Sequence, residues 1–308
     1  MAASPLKVAL RGIYRRIMNV FPPRLHATLD YARALHRLPN IDNPQTFNEK
    51  VLWRMLYDRD PRFPDLADKI KVKDYVARKV GADVLIPSLG IYDAVEQMDF
   101  SKPPLNAPPY VIKTNHGCAM NIFVRAGDGS LDPVAIKKKL KKFMSTDYAT
   151  IAEEWAYTAI EPKILVEPLI WQPEGYPIDY KFHVFHGRVF ATQVIMDRST
   201  HTRCSVYDRD FQLMGFEYVY RSYKGEIPRP AQWSKMVEVA EALGREFPYV
   251  RVDLYAVDDR VRFGEMTFYP VGGHGVFRPA SWDATFGELW KENFTVPLQK
   301  PRTAPETI

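Results

Sequence analysis

Asp253 and Glu265 are the residues of this 308-residue chain whose types and spacing most directly suggest chemistry. They lie in Arg251-Val252-Asp253-Leu254-Tyr255 and Gly264-Glu265-Met266-Thr267-Phe268, on either side of Asp258-Asp259-Arg260. Both flanks are rich in aromatic and β-branched residues and the centre is polar, the pattern of a β-hairpin. A three-residue loop closed by Val257 and Val261 sets Asp253 opposite Glu265 and Arg251 opposite Thr267, all four on one face. Like charges opposed at about 4.5–5.5 Å between Cβ atoms destabilise a sheet. Apolar neighbours such as Val252, Leu254 and Met266 leave little water to dilute the repulsion, so the pair calls for a proton or a cation. A hard cation held by one or two carboxylates, its shell completed by phosphate oxygens, is the usual Mg²⁺ arrangement. The bland alternative is a hairpin with exposed charges, and a one-residue slip would redirect every side chain.

Lys113 ends the apolar run Tyr110-Val111-Ile112 and precedes a loop, Thr114 to Asn121, that contains Gly117. Such a lysine can offer a point charge to phosphate while loop amides donate, or can snorkel at a sheet rim. Glu167 ends another strand-like run, placed either at a nucleotide edge or as a surface cap. Asp179 and Lys181 alternate onto one face of a strand, against Tyr180, Phe182 and Val184 on the other, and face either a cleft or water. His116 and His274 sit in candidate loops as acid/base groups, phosphate contacts or plain surface polarity. The glycines of Val271-Gly272-Gly273-His274-Gly275 would let amides approach an anion. His183 and His186 would point to opposite faces, which argues against zinc. No nucleophile elbow, dinucleotide fingerprint or P-loop is present.

The elements that must position these groups are mixed. Helical segments broken at Phe21-Pro22-Pro23 and Leu38-Pro39-Asn40 fill the first 64 residues, and Thr46 with Glu49 forms a capping box for the next helix. A helix is expected from about Pro64 to Val80, then a strand-like Val84-Leu85-Ile86-Pro87. Ser101 to Pro109 reads as a linker, and a lysine-rich helix runs from Asp132 to Phe143 with a solvated face. Hairpin strands separated by helices indicate an α+β fold. Hydrophobic residues make up 46%, charged residues 26%, and 42 basic against 37 acidic residues leave +5. That charge is too mild to indicate nucleic acid but suits an anionic substrate. Cys118 and Cys204 form no disulfide framework, so a reducing, cytoplasmic setting is expected. No apolar run is long enough to span a bilayer. Lys7, Arg11, Arg15 and Arg16 with Leu6, Leu10, Ile13, Tyr14, Ile17 and Met18 describe a basic amphipathic helix. Such a helix can lie on the inner face of a membrane or pack on its own domain.

In their order, Thr46-Phe47-Asn48-Glu49-Lys50, Leu66-Ala67-Asp68-Lys69, Val111 to Gly117, Asp179-Tyr180-Lys181-Phe182, Phe247 to Asp253 and Gly264 to Phe268 resemble the ATP-grasp superfamily. Within it the chain looks like the TupA-like branch, related to teichuronopeptide biosynthesis. The resemblance implies ATP clasped between two α+β subdomains, with one or two Mg²⁺ ions bridging its phosphates. The implied division is a helical extension over 1–64, an ATP-grasp domain over 65–298 (65–105, a lid-type 106–170 and a metal-binding 171–298) and a tail over 299–308. It also implies that Lys113 and Lys73 (or Lys69 or Lys71) contact the nucleotide, with the loop carrying His116, Gly117 and Asn121 closing over the phosphates. Glu167 would lie near the adenine-ribose end with Asp179 beside it, and Lys181 would belong to the same site. Asp253, Glu265 and Thr267 would hold the metal, and Arg251, Lys113 and His274 would act in catalysis. Many members have Glu-x-Asn where this chain has Glu265-Met266-Thr267, which puts the second metal in question. The implied reaction is ATP-dependent carboxylate–amine ligation through an acyl phosphate, joining an amino acid to a uronic acid of cell-surface polysaccharide. A kinase-like transferase, a glycosyltransferase-associated protein and a non-catalytic polysaccharide-binding protein are the alternatives.

Overall fold

Two antiparallel sheets face each other across a cleft, each turning an apolar face to its own helices and a polar face to the other sheet. The computed structural model describes residues 22–127, 129–170, 177–196 and 202–296. The amphipathic N-terminal helix and the 299–308 tail of the sequence reading lie outside them. In chain order the helices are α1 (Pro23–Leu35), α2 (Phe47–Tyr57), α3 (Phe63–Ala67), α4 (Val72–Val80), α5 (Pro133–Met144), α6 (Tyr148–Ala152), α7 (Trp233–Gly244) and α8 (Ser281–Leu289). The smaller sheet has the order β1 (Gly90–Tyr92), β4 (Ile164–Pro168), β2 (Tyr110–Thr114), β3 (Asn121–Val124). The larger has the order β10 (Arg260–Thr267), β9 (Tyr249–Val257), β5 (Asp179–Phe185), β6 (Arg188–Met196), β7 (Arg203–Tyr207). A short pair, β8 (Glu217–Tyr218) and β11 (Phe277–Arg278), lies apart, and the fold class is α+β as expected.

Alternation along the central strands separates core from cleft. Val250, Val252 and Leu254 of β9 with Tyr180, Phe182 and Val184 of β5 join one core with Trp233, Met236, Ala240 and Leu243 of α7. The opposite face of the same strands carries Arg251, Asp253, Asp179 and Lys181. In the smaller sheet Tyr110, Ile112, Ile164 and Val166 pack with Ile136 and Leu140 of α5, leaving Lys113 and Glu167 on the other face. The exposed Lys138, Lys139, Lys141 and Lys142 of α5 form its solvated side.

Several expectations change. The hairpin turn has two residues, Asp258 and Asp259, with φ of 50° and 54°, so Arg260 rather than Val261 pairs with Val257. A bulge between Phe263 and Glu265 then adds the residue the turn lacks, and Asp253 still faces Glu265 and Arg251 still faces Thr267. The expected Pro64–Val80 helix divides into α3 and α4, because the Asp68 carboxylate accepts from Ile70 N (2.7 Å) and Lys71 N (3.3 Å) and restarts the turn. Val84 ends a 3₁₀ turn and Leu85–Pro87 is not strand. The Ser101–Pro109 segment does not separate two bodies, since Val95, Met98 and Leu105 share the core of Tyr110 and Ile112. Within the first stretch, Phe47, Val51, Met55 and Phe63 join the large-sheet core.

α2 is anchored at its start by the expected capping box: Glu49 N donates to Thr46 Oγ1 (3.4 Å) and Glu49 Oε2 accepts from Thr46 N (3.0 Å). Thr46→Ala should lower stability by about 1 kcal/mol. The check is a lower denaturant midpoint at unchanged slope.

Candidate active site

Sheet register assembles a row of charge across the floor of the cleft. Glu265 on β10 pairs with Asp253 on β9, which pairs with Lys181 on β5, while Thr267 and His183 flank Arg251 in the next row. The cation that the two carboxylates require is supplied by the protein. Arg251 Nε and Nη2 donate to Asp253 Oδ1 and Oδ2 at 2.7 and 2.8 Å, and Nη2 also donates to Glu265 Oε1 and Thr267 Oγ1, both at 3.0 Å. Lys181 donates to Asp253 from the other side and pairs with Asp179 Oδ2 at 2.9 Å. Asp253 and Asp179 are each 1% exposed, so of the two expected settings this face meets the cleft, with its charges paired among themselves. Burial pushes the Asp253 carboxyl up, but Arg251 and Lys181 more than reverse this and hold it well below the usual carboxylate range. Burial likewise opposes the charge on Arg251 and Lys181, and their carboxylate partners raise both nonetheless.

The smaller sheet contributes a second cluster. Lys113 faces Leu165 and Glu167 faces Val111, which makes Lys113 and Glu167 diagonal neighbours on the cleft side. Glu167 accepts from Lys113 Nζ and, with its other oxygen, from Lys73 Nζ of α4, each at 2.6 Å. Lys73 also donates to Ile86 O and Ser88 Oγ at 2.8 Å. Burial would raise the Glu167 carboxyl, yet the two lysines hold it below its ordinary value. Asn115 fixes the loop beneath: its amide donates to Asp68 Oδ2 (2.9 Å) and Glu161 O (3.0 Å) and accepts from Lys163 N (2.7 Å).

Between the clusters lies a cavity of about 340 Å³. Lys73, Lys113, Asn121, Glu167, Asp179, Lys181, Asp253 and Glu265 all line it, so most of the sequence-expected set converges. Lys69, which donates to Gly117 O, lines it too, whereas Lys71 is bound outside to Asp65 at 2.8 Å. Leu85, Ile86, Leu165, Tyr255 and Phe263 supply an apolar wall that sequence reading missed; Leu85 and Ile86 carry no polar signature and resemble a strand. Gly264, at the bulge, lines the cavity where a Cβ would come within 3.0 Å of Asp253 O. His116 is buried at 4% exposure and does not line the cavity, and neither does Gly117. Burial lowers the His116 imidazole.

A second cavity, of about 710 Å³, opens on the other side of Arg251, Glu265 and Thr267. It is walled by His26, Asp30 and Arg33 of α1, by Tyr148, Glu153, Glu154 and Tyr157 after α5, and by Tyr269 and His274. Glu265 and Cys118 border both cavities. His274 thus belongs to the second cavity and not to the nucleotide side, and burial lowers its imidazole. Its glycine loop does not form an anion cradle around Gly273, where a Cβ would strike Asn48 O at 2.7 Å, so close packing on α2 explains that glycine. His183 sits at the base of the cleft, bonded to Tyr249 Oη (3.0 Å) and Gln193 Oε1 (3.2 Å). His186 lies in the β5–β6 turn.

Two carboxylates and a hydroxyl on adjoining strands form an all-oxygen donor set that fits Mg²⁺ sharing its shell with phosphates. Among the described residues no group of three or more His, Cys, Asp or Glu could hold a metal without such help. Glu167→Gln should cost about 3 kcal/mol, since it strips the charge partner from two lysines. The Glu167 carboxyl is lowered by folding, so its contribution is full above the ordinary carboxylate range and is lost as pH falls through the lower folded value. The difference in unfolding free energy between wild type and variant should therefore hold at neutral pH and close on strong acidification.

A family model described as TupA-like ATPgrasp matches residues 49–291. No curated protein matches the chain. Among solved structures, the D-alanine–D-alanine ligase from Bacillus anthracis complexed with ATP is 14% identical, with a TM-score of 0.43 over 73% of this chain and 62% of its own. The chain thus spans about three fifths of that ligase. The ATP-grasp ligase PsnB, complexed with a phosphomimetic variant of its minimal precursor, Mg and ADP, is 16% identical, with a TM-score of 0.41 over 94% of this chain and 73% of its own. N5-carboxyaminoimidazole synthase from Aspergillus clavatus is 14% identical, with a TM-score of 0.38 over 66% of this chain and 44% of its own. Family membership rests on the family model and not on these likenesses. The chain belongs to the TupA-like ATP-grasp family.

Proposed function

We propose that this chain is an ATP-dependent carboxylate–amine ligase acting on cell-surface polysaccharide, with a uronic acid as carboxylate and an amino acid as amine. The observation that carries this reading is the meeting of two cavities at Glu265, beside Arg251. On one side the apolar wall suits a flat base, and Lys73, Lys113 and Lys181 offer three cations to a polyphosphate. On the other side, Arg33 and Arg251 with Asp30, Glu153 and Glu154 present both signs of charge, as a carboxylate and an ammonium group require. Asp253, Glu265 and Thr267 would hold Mg²⁺, which when bound screens the phosphate oxygens.

In the reaction a substrate carboxylate oxygen attacks the γ-phosphorus of ATP and ADP departs. The amine then attacks the acyl carbon and inorganic phosphate leaves. Arg251 borders the acceptor cavity and can follow the phosphoryl group once its carboxylates are otherwise engaged. Catalysis is by positioning and charge rather than by a protein nucleophile. Cys118 is no candidate nucleophile, because partial desolvation within the cleft and then the negative charge of Glu265 raise its thiol. We place the reaction in the cytoplasm, where ATP is available, at the inner membrane face if the basic N-terminal segment attaches there. No helix among the described residues is long and apolar enough to cross a membrane.

ADP release and product mass should be measured with Mg·ATP, glucuronic or galacturonic acid, and a panel of amino acids. An amide with ADP is the expected result. A phosphorylated sugar would establish a kinase, and no ADP with any pair would contradict both. Asp253→Asn and Glu265→Gln should each reduce turnover by about 100-fold or more.

A further inference from the structure

Glu154 stands apart from every other carboxylate around Arg251. It lies between α6 and the 3₁₀ turn Trp155–Ala159 and opens into the second cavity alongside Arg251, Glu265 and Thr267. No described residue gives its carboxyl a hydrogen bond or ion pair, whereas neighbouring Glu153 is held by His26 of α1. Asp253 and Glu265 are both engaged by Arg251. Two aromatic rings, Tyr148 and Tyr157, meet edge to face at 4.8 Å in the same wall. A lone carboxylate beside aromatic rings is a receptor for an ammonium group.

We propose that Glu154 receives the ammonium group of the amine nucleophile and takes one of its protons as the amine attacks. This assignment rests on the ligase reading. The N–H bond breaks toward Glu154, and the freed lone pair forms the C–N bond to the acyl carbon. The C–O bond to phosphate breaks with its electrons on phosphate, which takes the second proton. Burial, then the negative charge of Glu265, push the Glu154 carboxyl up to about 8 against the opposing pull of Arg251 and Lys69. An ammonium group bound beside it favours the ionised carboxylate, which is the form that accepts the proton. Cys118, Tyr148 and Tyr157 also face it, and burial raises all three, so they stay protonated and uncharged.

The test compares glycine, an ammonium at neutral pH, with hydroxylamine, which is uncharged there, using Mg·ATP and the uronic acids above. In Glu154→Gln the amide-forming rate should fall about 100-fold or more, while hydroxamate formation stays within about threefold of wild type. The remaining glycine rate should rise with pH as the free amine appears, and Glu154→Asp should restore part of the loss at neutral pH. Equal loss with both nucleophiles, or no loss with glycine, in Glu154→Gln overturns the assignment while leaving the ligase reading in place. Should Glu154→Gln not fold, an Asp variant with unaltered glycine kinetics and pH profile overturns it equally. If wild type forms neither amide nor hydroxamate, the ligase reading fails and the assignment with it.

Discussion

Charge neutralisation of Asp253 is the constraint on which the cleft depends. This carboxylate is 1% exposed in the middle of the larger sheet, where an unpaired charge would be prohibitive. Register provides the remedy from both sides: Lys181 faces it directly across β5, and Arg251, two residues earlier on β9, grips it with a bidentate fork. The same fork reaches Glu265 and Thr267, so one guanidinium ties together every group expected to hold the metal. A slip of one residue between β9 and β10 would send Glu265 to the wrong face, and the bulge at Gly264 is what prevents it. Arg251 therefore acts as the counter-ion of this donor set, and any cation bound there competes with it.

The two sheets divide the remaining work. The larger supplies the carboxylates and Arg251 from rigid strands buried on α7, which is where a charge constellation can be held to a fixed geometry. The smaller supplies Lys113 and Glu167, with Lys73 reaching in from α4. Glu167 keeps the two lysine heads about one carboxylate apart, a spacing that offers both to an anion. α1 then closes the far side of the second cavity through His26, Asp30 and Arg33.

Much of this was legible in the sequence because strand alternation is strict. The face shared by Asp179 and Lys181, and the opposition of Asp253 to Glu265, follow from period two and survive an error in the turn. A three-residue loop and a two-residue turn followed by a bulge give the same pairing at Asp253, so the pattern alone does not distinguish them. Long-range partners were not legible: nothing in the chain indicates that Lys73 and Lys113 meet at Glu167, 94 and 54 residues away. Glu154 gives no signal in the sequence, because its lack of a partner among the described residues is a property of what surrounds it in space. The directions of loop residues are not legible, His116 turning inward and His274 opening into the second cavity, since loops carry no periodicity from which direction can be read.

Binding of Mg·ATP to Lys73, Lys113 and Lys181 in the cleft between the sheets is open to direct measurement. Lysine footprinting with an amine-reactive reagent, read by mass spectrometry with and without Mg²⁺ and a non-hydrolysable ATP analogue, addresses it at the residues themselves. Nucleotide-dependent protection of these three lysines is expected, with unchanged labelling of Lys71 and Lys138, which lie outside the cavity. Unchanged labelling of Lys73, Lys113 and Lys181 at saturating nucleotide would contradict it.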